Sequence, residues 1–222
     1  MENLPAELVK IPLEYIKTAI DWFRDQSVVQ RKPGIGIYGG SRGGELALLV
    51  ASTYSEIKAV VSVCGSGLIM GGYHKIRDFR FPAWTYEGTP LPNVRRDNSP
   101  LAYGPISTDW EAFRTYHSDN LKQATIPVER IQGAVLMFSG QKDRIWNSFE
   151  LTNVAMTRFQ EKQFPYPYEH IVYPDAGHRI YIPYTPEPID HDRFGGTLQA
   201  NADASVDHWK RTVDFFSNHL DH

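Results

Sequence analysis

The chain has a single cysteine, Cys64, no long apolar run and no block of like charge. Each scarcity excludes something. One cysteine rules out an internal disulfide and a thiolate zinc cluster, and it suits a reducing compartment. The longest apolar runs are strand-sized, well short of the roughly 20 residues a membrane-spanning helix needs. A formal net charge of −3 gives no electrostatic basis for binding nucleic acid, and Arg95-Arg96 is too short to act as a basic patch. Met1-Glu2-Asn3-Leu4 has neither the basic nor the apolar part of a secretory signal, and Asn218 to His222 match no peroxisomal address. The cytoplasm is the expected compartment.

What is present is ordinary for a globular protein: 222 residues, 41% hydrophobic and 22% charged, enough for one domain. Leu13, Ile16, Ile20 and Phe23 recur at helical spacing and predict a helix over 12–23. Strands are expected at 34–38, 57–63, 134–139 and 169–173, the second of them apolar almost throughout, as a buried parallel strand requires. Helices are expected at 45–52, 110–123, 149–164 and 206–220, the last with Trp209, Val213, Phe216 and Leu220 among its apolar positions. Alternation of strands and helices argues for an α/β fold with a mostly parallel sheet flanked by helices. Residues 70–110 lose periodicity and fill with proline, glycine and aromatics. They read as a lid-like excursion within a single domain over 1–222, helping to wall a site.

The most informative stretch is Gly34-Ile35-Gly36-Ile37-Tyr38-Gly39-Gly40-Ser41-Arg42-Gly43-Gly44. An apolar strand runs through a glycine-rich turn into a helix, the context of a nucleophile elbow that exposes a serine hydroxyl on strained backbone. Ser41 is the expected nucleophile. Asp143, four residues beyond a strand, is the expected acid, set against a role as a helix N-cap and against the competing Asp175. His178, in Asp175-Ala176-Gly177-His178, is the expected base. His170 falls inside a predicted strand and reads as structural, while His191 lacks a second ligand at metal-binding spacing. No metal and no cofactor are expected. The order Ser, Asp, His is that of α/β-hydrolases.

The backbone N–H of Arg42 supplies one oxyanion donor. A second normally comes from a loop after an earlier strand, and the residues before 34 hold a helix instead. The Arg42 side chain reads equally as an anion contact and as a surface arginine. Trp84, Tyr86 and Trp146 are expected to line a substrate channel, with core packing as the alternative.

Longer stretches carry a family resemblance. Residues 36–45, 61–67, 126–131, 140–146 and Tyr173-Pro174-Asp175-Ala176-Gly177-His178, in order over 11–222, resemble the C-terminal α/β-hydrolase domain of the acyl-CoA thioesterase and bile acid-CoA:amino acid N-acyltransferase family. The resemblance implies Ser41, Asp143 and His178 as nucleophile, acid and base. It also implies a serine hydrolase that cleaves acyl-CoA thioesters to free acid and coenzyme A through an acyl-enzyme. The alternatives are a carboxylesterase or dienelactone-hydrolase-like activity on small esters, an acyl-CoA N-acyltransferase, and a truncated inactive hydrolase. The N-acyltransferase branch is similar but typically has cysteine at the nucleophile. The expected partner is a small acyl thioester or ester. Relative to the family, the N-terminal domain and first sheet strands are absent, so the strand at 34–38 is expected to form an edge. A second copy of the chain, or the missing N-terminal half, is expected to cover it.

Overall fold

Four apolar segments pair side by side because each carries residues that suit burial on both faces. A computed structural model describes residues 5–27, 29, 34–73, 81–94, 110–116, 118–185 and 191–220. Its main sheet has strands β2 (Ile35–Gly40), β3 (Ile57–Val63), β6 (Ala134–Gly140) and β7 (Tyr168–Tyr173), in that order and all parallel. The whole of β6 and all of β3 but Lys58 are buried, and they form the centre. Glycine-rich β2 lies at one edge, with no strand on its outer side among the described residues. The fold class expected from the sequence is therefore present: α/β, with a mostly parallel sheet between helices, of α/β-hydrolase-like architecture.

On one face α2 (Arg42–Thr53) and α1 (Glu14–Arg24) pack with Leu48, Val50, Ile57, Val60 and Val135. The stripe on α1 is narrower than its spacing suggests: Leu13 and Ile20 are buried, but Phe23 is exposed. On the opposite face, Val61, Val63, Leu136 and Phe138 meet Ile180 and Ala204, the last on α6 (Leu198–Leu220). Helix α6 starts eight residues earlier than its apolar periodicity implies. Its first turns are polar, and Thr197 caps them by accepting from the Ala200 N–H at 3.1 Å. Its buried face is also different, comprising Asn201, Ala204, Ser205, His208 and Thr212, while Trp209 and Val213 are exposed.

The region expected to be one long excursion contains structure of its own. Strands β4 (Trp84–Tyr86) and β5 (Thr89–Pro90) form a hairpin, and β4 pairs in parallel with β1 (Ile11–Pro12). Residues 74–80 and 95–109 of that excursion lie outside the described ones. Over the helix expected at 110–123 the described residues are helical, as α3 (Trp110–Tyr116) and α4 (Ser118–Ala124), and residue 117 lies outside the described ones. The remaining helix, α5 (Ser148–Glu161), begins at an Asn147 cap whose side chain accepts from the Glu150 N–H. Among the described residues no helix is long and apolar enough to cross a membrane.

Register decides where the chemistry sits. Gly40 pairs with Val63, Val63 with Phe138, and Gly140 with Tyr173. The strands thus end at one level, and Ser41, Cys64, Asp143 and His178 all emerge from that C-terminal edge, where open parallel sheets bind ligands.

Candidate active site

Ser41 follows β2 directly and has φ 56° and ψ −123°, outside the ordinary basins of an L-residue. Two features hold it there. Its N–H donates to the Val63 carbonyl at 2.8 Å, and its carbonyl accepts from Gly44 N–H at 2.9 Å as α2 begins. The turn closes only because Gly39 has no side chain; a Cβ there would strike the Gly43 carbonyl.

His178 lies in the loop after β7 and is 2% exposed. Its Nε2 is 2.8 Å from Ser41 Oγ and its Nδ1 is 2.7 Å from Asp143 Oδ2. A carboxylate only accepts, so Nδ1 carries the proton and Nε2 is left as an acceptor for the hydroxyl. Asp143 Oδ1 accepts from the N–H groups of Ile145, at 2.9 Å, and Trp146, at 3.2 Å. The imidazole is aimed by its own loop as well: His178 N–H donates to Phe194 O, and Gly177 N–H donates to the Asn201 side chain at 2.7 Å. Asn201 in turn donates to Gly195 O. Asn201 went unnoticed in the sequence because nothing in a polar helical stretch distinguishes it from a surface asparagine.

Cys64 corrects the functional expectation. It follows β3 as Ser41 follows β2, and it too has a positive φ, 45°. Its Sγ, a carboxylate oxygen of Asp143 and a ring nitrogen of His178 lie within 4.8 Å of one another, all three residues buried. A cysteine, an aspartate and a histidine therefore form one cluster, and the Asp143–His178 pair does not belong to a hydroxyl alone. The expectation of a serine esterase acting on acyl-CoA thioesters is overturned on this point. The sequence gives Cys64 no catalytic role; its position one residue past a buried strand is the available signal. Burial, and then the Asp143 charge, push its thiol well above the ordinary range. It rests as a thiol, donating weakly to Gly177 O at 3.8 Å, and needs a base to become a nucleophile. Ser41, by contrast, opens onto a cavity.

That cavity has a volume of about 320 Å³ and is lined by Leu8, Ser41, Arg42, Met70, Gly71, Tyr73, Ile145 and Trp146. Trp146 is held by donating to Cys64 O at 2.8 Å and meets the His178 ring edge-on. Trp84 does not reach the lining; it is buried behind Arg42 and donates to Glu45 Oε1 at 2.8 Å. Tyr86 packs against Tyr54 instead. Glu45 is wholly buried, and desolvation holds its carboxyl up at about 7 despite the Arg42 guanidinium 2.6 Å away. The same burial lowers the pKa of Arg42. His170, expected to be structural, lies in β7 with its Nε2 2.7 Å from Ser139 Oγ, and burial pulls it down to about 4.

Comparison with known proteins agrees with this architecture. The family model described as BAAT / Acyl-CoA thioester hydrolase C terminal matches residues 11–222. Acyl-coenzyme A thioesterase 1 and mitochondrial acyl-coenzyme A thioesterase 2 of Homo sapiens are each 32% identical over 99% of this chain. Those alignments cover 52% and 45% of the two relatives, so the chain spans about half the length of the curated relatives it matches. A dienelactone hydrolase-like promiscuous phosphotriesterase from metagenomic libraries has the same fold, with a TM-score of 0.54 at 17% identity. That match covers 94% of this chain and 61% of the other. With the family model matched from Ile11 to the C-terminus, the chain belongs to the BAAT / acyl-CoA thioester hydrolase C-terminal family.

Proposed function

We propose that the chain hydrolyses small carboxylic esters, in the manner of a dienelactone hydrolase, with Asp143 and His178 as its proton-transfer pair. The observation that carries this reading is the buried 2.7 Å contact between Asp143 and His178, set between a thiol and a hydroxyl. A cavity of about 320 Å³ lies at the low end for ligand pockets and suits a small ester.

The attacking atom is Cys64 Sγ, from the buried cluster, or Ser41 Oγ, from its 2.8 Å contact with Nε2. In either case its proton passes to His178 as the new bond to the carbonyl carbon forms. The carbonyl oxygen becomes an oxyanion, for which the Arg42 backbone N–H is the nearest donor by position. Collapse breaks the ester C–O bond, and the alcohol leaves with the proton from His178. Water then attacks the acyl group, giving its proton to His178, and the carboxylic acid departs as the nucleophile takes that proton back. Asp143 steadies the imidazolium at each transfer. Trp146 forms one wall. A chain with one cysteine needs no internal disulfide, which suits the cytoplasm.

Hydrolysis of 4-nitrophenyl acetate by Ser41→Ala, Cys64→Ala and His178→Ala tests the proposal. Loss in Cys64→Ala with labelling by iodoacetamide assigns attack to the thiol. Loss in Ser41→Ala with labelling by a fluorophosphonate assigns it to the hydroxyl. Full activity in His178→Ala overturns the proposal.

A further inference from the structure

Three separate parts of the chain wall the cavity beside Ser41. Ser41 and Arg42 follow β2, and Ile145 and Trp146 lie in the loop after β6. Met70, Gly71 and Tyr73 open the excursion that follows β3. Leu8 belongs to neither group. It comes from the stretch ahead of β1, three residues before the part of the chain that the family model matches. Beyond Ser41 and Arg42 the lining is apolar or aromatic.

Backbone bonds fix Leu8 in that wall. Its carbonyl accepts from the Tyr73 N–H at 2.9 Å, and the two residues, both on the lining, pair across an antiparallel bridge. Further along, Lys10 N–H donates to Pro82 O at 2.9 Å and Ile11 N–H to Ala83 O at 2.8 Å. The stretch is thus a strap, bonded at one end to residue 73 and at the other to residues 82 and 83. It lies this close because Gly72 has no side chain; a Cβ there would strike the Leu8 carbonyl. The Leu8 side chain is half-buried against the larger hydrophobic cluster.

An ester hydrolase holds the acyl part of its substrate through both halves of the reaction, whereas the alcohol leaves after the first. An apolar cavity that opens on the nucleophile suits that acyl chain, and its extent limits the chain's length. We propose that Leu8 is a specificity-determining residue that stops the acyl chain, so that the substrate class is esters of short, uncharged aliphatic acids. This rests on the hydrolase reading above and deepens it. Met70 and Trp146 are buried in the core, where a change of volume disturbs their neighbours. Leu8 hangs from the strap, and its volume sets how far the cavity runs from Ser41.

The test measures kcat/KM for 4-nitrophenyl butanoate and 4-nitrophenyl octanoate, whose ratio within one variant does not depend on the fraction folded. Wild type is expected to favour the butanoate by at least about tenfold. Leu8→Ala, which shortens the wall, brings the ratio to about one, whereas Leu8→Phe widens it. Leu8→Met, similar in volume, stays near wild type. Opposite shifts in the Ala and Phe variants are the signature of a length limit, since a merely structural residue would loosen the strap in both and move both ratios the same way. A wild type that takes the two esters equally, or Ala and Phe variants that move together or not at all, overturns the proposal. If wild type hydrolyses neither ester, the hydrolase reading fails, and binding decides the role of Leu8. Free octanoate then raises the melting temperature of Leu8→Ala more than that of wild type if the assignment is right. Equal shifts, or none in either protein, overturn it.

Discussion

Two polar networks meet at Ser41 and are built in opposite ways. Asp143, His178 and Asn201 come from three widely separated parts of the chain, and only pairing of β6 with β7 and packing of α6 bring them together. Arg42 and Glu45 sit three residues apart on one helix, a spacing that makes neighbours anywhere. Burial against Trp84 is what separates that pair from an ordinary surface ion pair. The first network has hydrogen-bond partners arranged to move a proton. The second holds a charge still at the cost of desolvating two ions.

If the contrast is correct, damage to each should read out differently. His178→Ala is expected to lower ester turnover roughly 10²–10⁴-fold while shifting the melting temperature less than damage to the other network; kinetics beside thermal unfolding checks both halves. Glu45→Ala strips Arg42 and the Trp84 N–H of their partner and is expected to cost about 3–5 kcal/mol in urea unfolding. A loss under about 1 kcal/mol would place the pair with solvent-exposed bridges.

The pH dependence sharpens this further. Glu45 has its folded pKa raised from 4.5 to about 7, so the native state holds a proton that the unfolded state has released. Its contribution is present below pH 4.5 and lost as pH rises to about 7, on the order of 3 kcal/mol in all. His170, drawn down to about 4 by burial, acts in the other direction, its contribution falling away as pH drops below its ordinary value of 6.5. The stability difference between wild type and Glu45→Gln cancels His170 and should run downhill for wild type between pH 4.5 and 7. The smallest effect belongs to Asn201→Ala, which leaves the Gly177 N–H without its acceptor. About 1–3 kcal/mol is expected from denaturant unfolding, with KM for a small ester changing less than kcat because the His178 loop loosens.

Much of the fold was legible because its signals are local. The apolar runs at 57–63 and 134–139 have the length and content of buried strands, and Gly39 to Gly44, between an apolar strand and a helical run, reads as a tight strand-to-helix turn. The start of α6 was not legible, since residues 198–205 carry no apolar period and are helical through the Thr197 cap and the polar bonds of Asn201 and Ser205. The pairing of β1 with β4 was hidden for a related reason: two-residue strands carry no periodicity, and their partners lie over 70 residues apart. For Trp84 the sequence leaves a channel wall and core packing equally open, because an aromatic in a proline-rich loop fits either. Its indole N–H needed a buried acceptor, and Glu45 provided one.

The amino-acid order alone determined the elbow, the α/β alternation and three separate residues able to accept or pass a proton, because turn chemistry and hydrophobic period act over a few residues. Only the tertiary structure decided that Cys64 would join Asp143 and His178, and that an arginine would be clamped in the cavity beside Ser41. Both outcomes depend on strand register and burial, which bring Cys64 to Asp143 and His178 and set Trp84 and the Met70 carbonyl against Arg42.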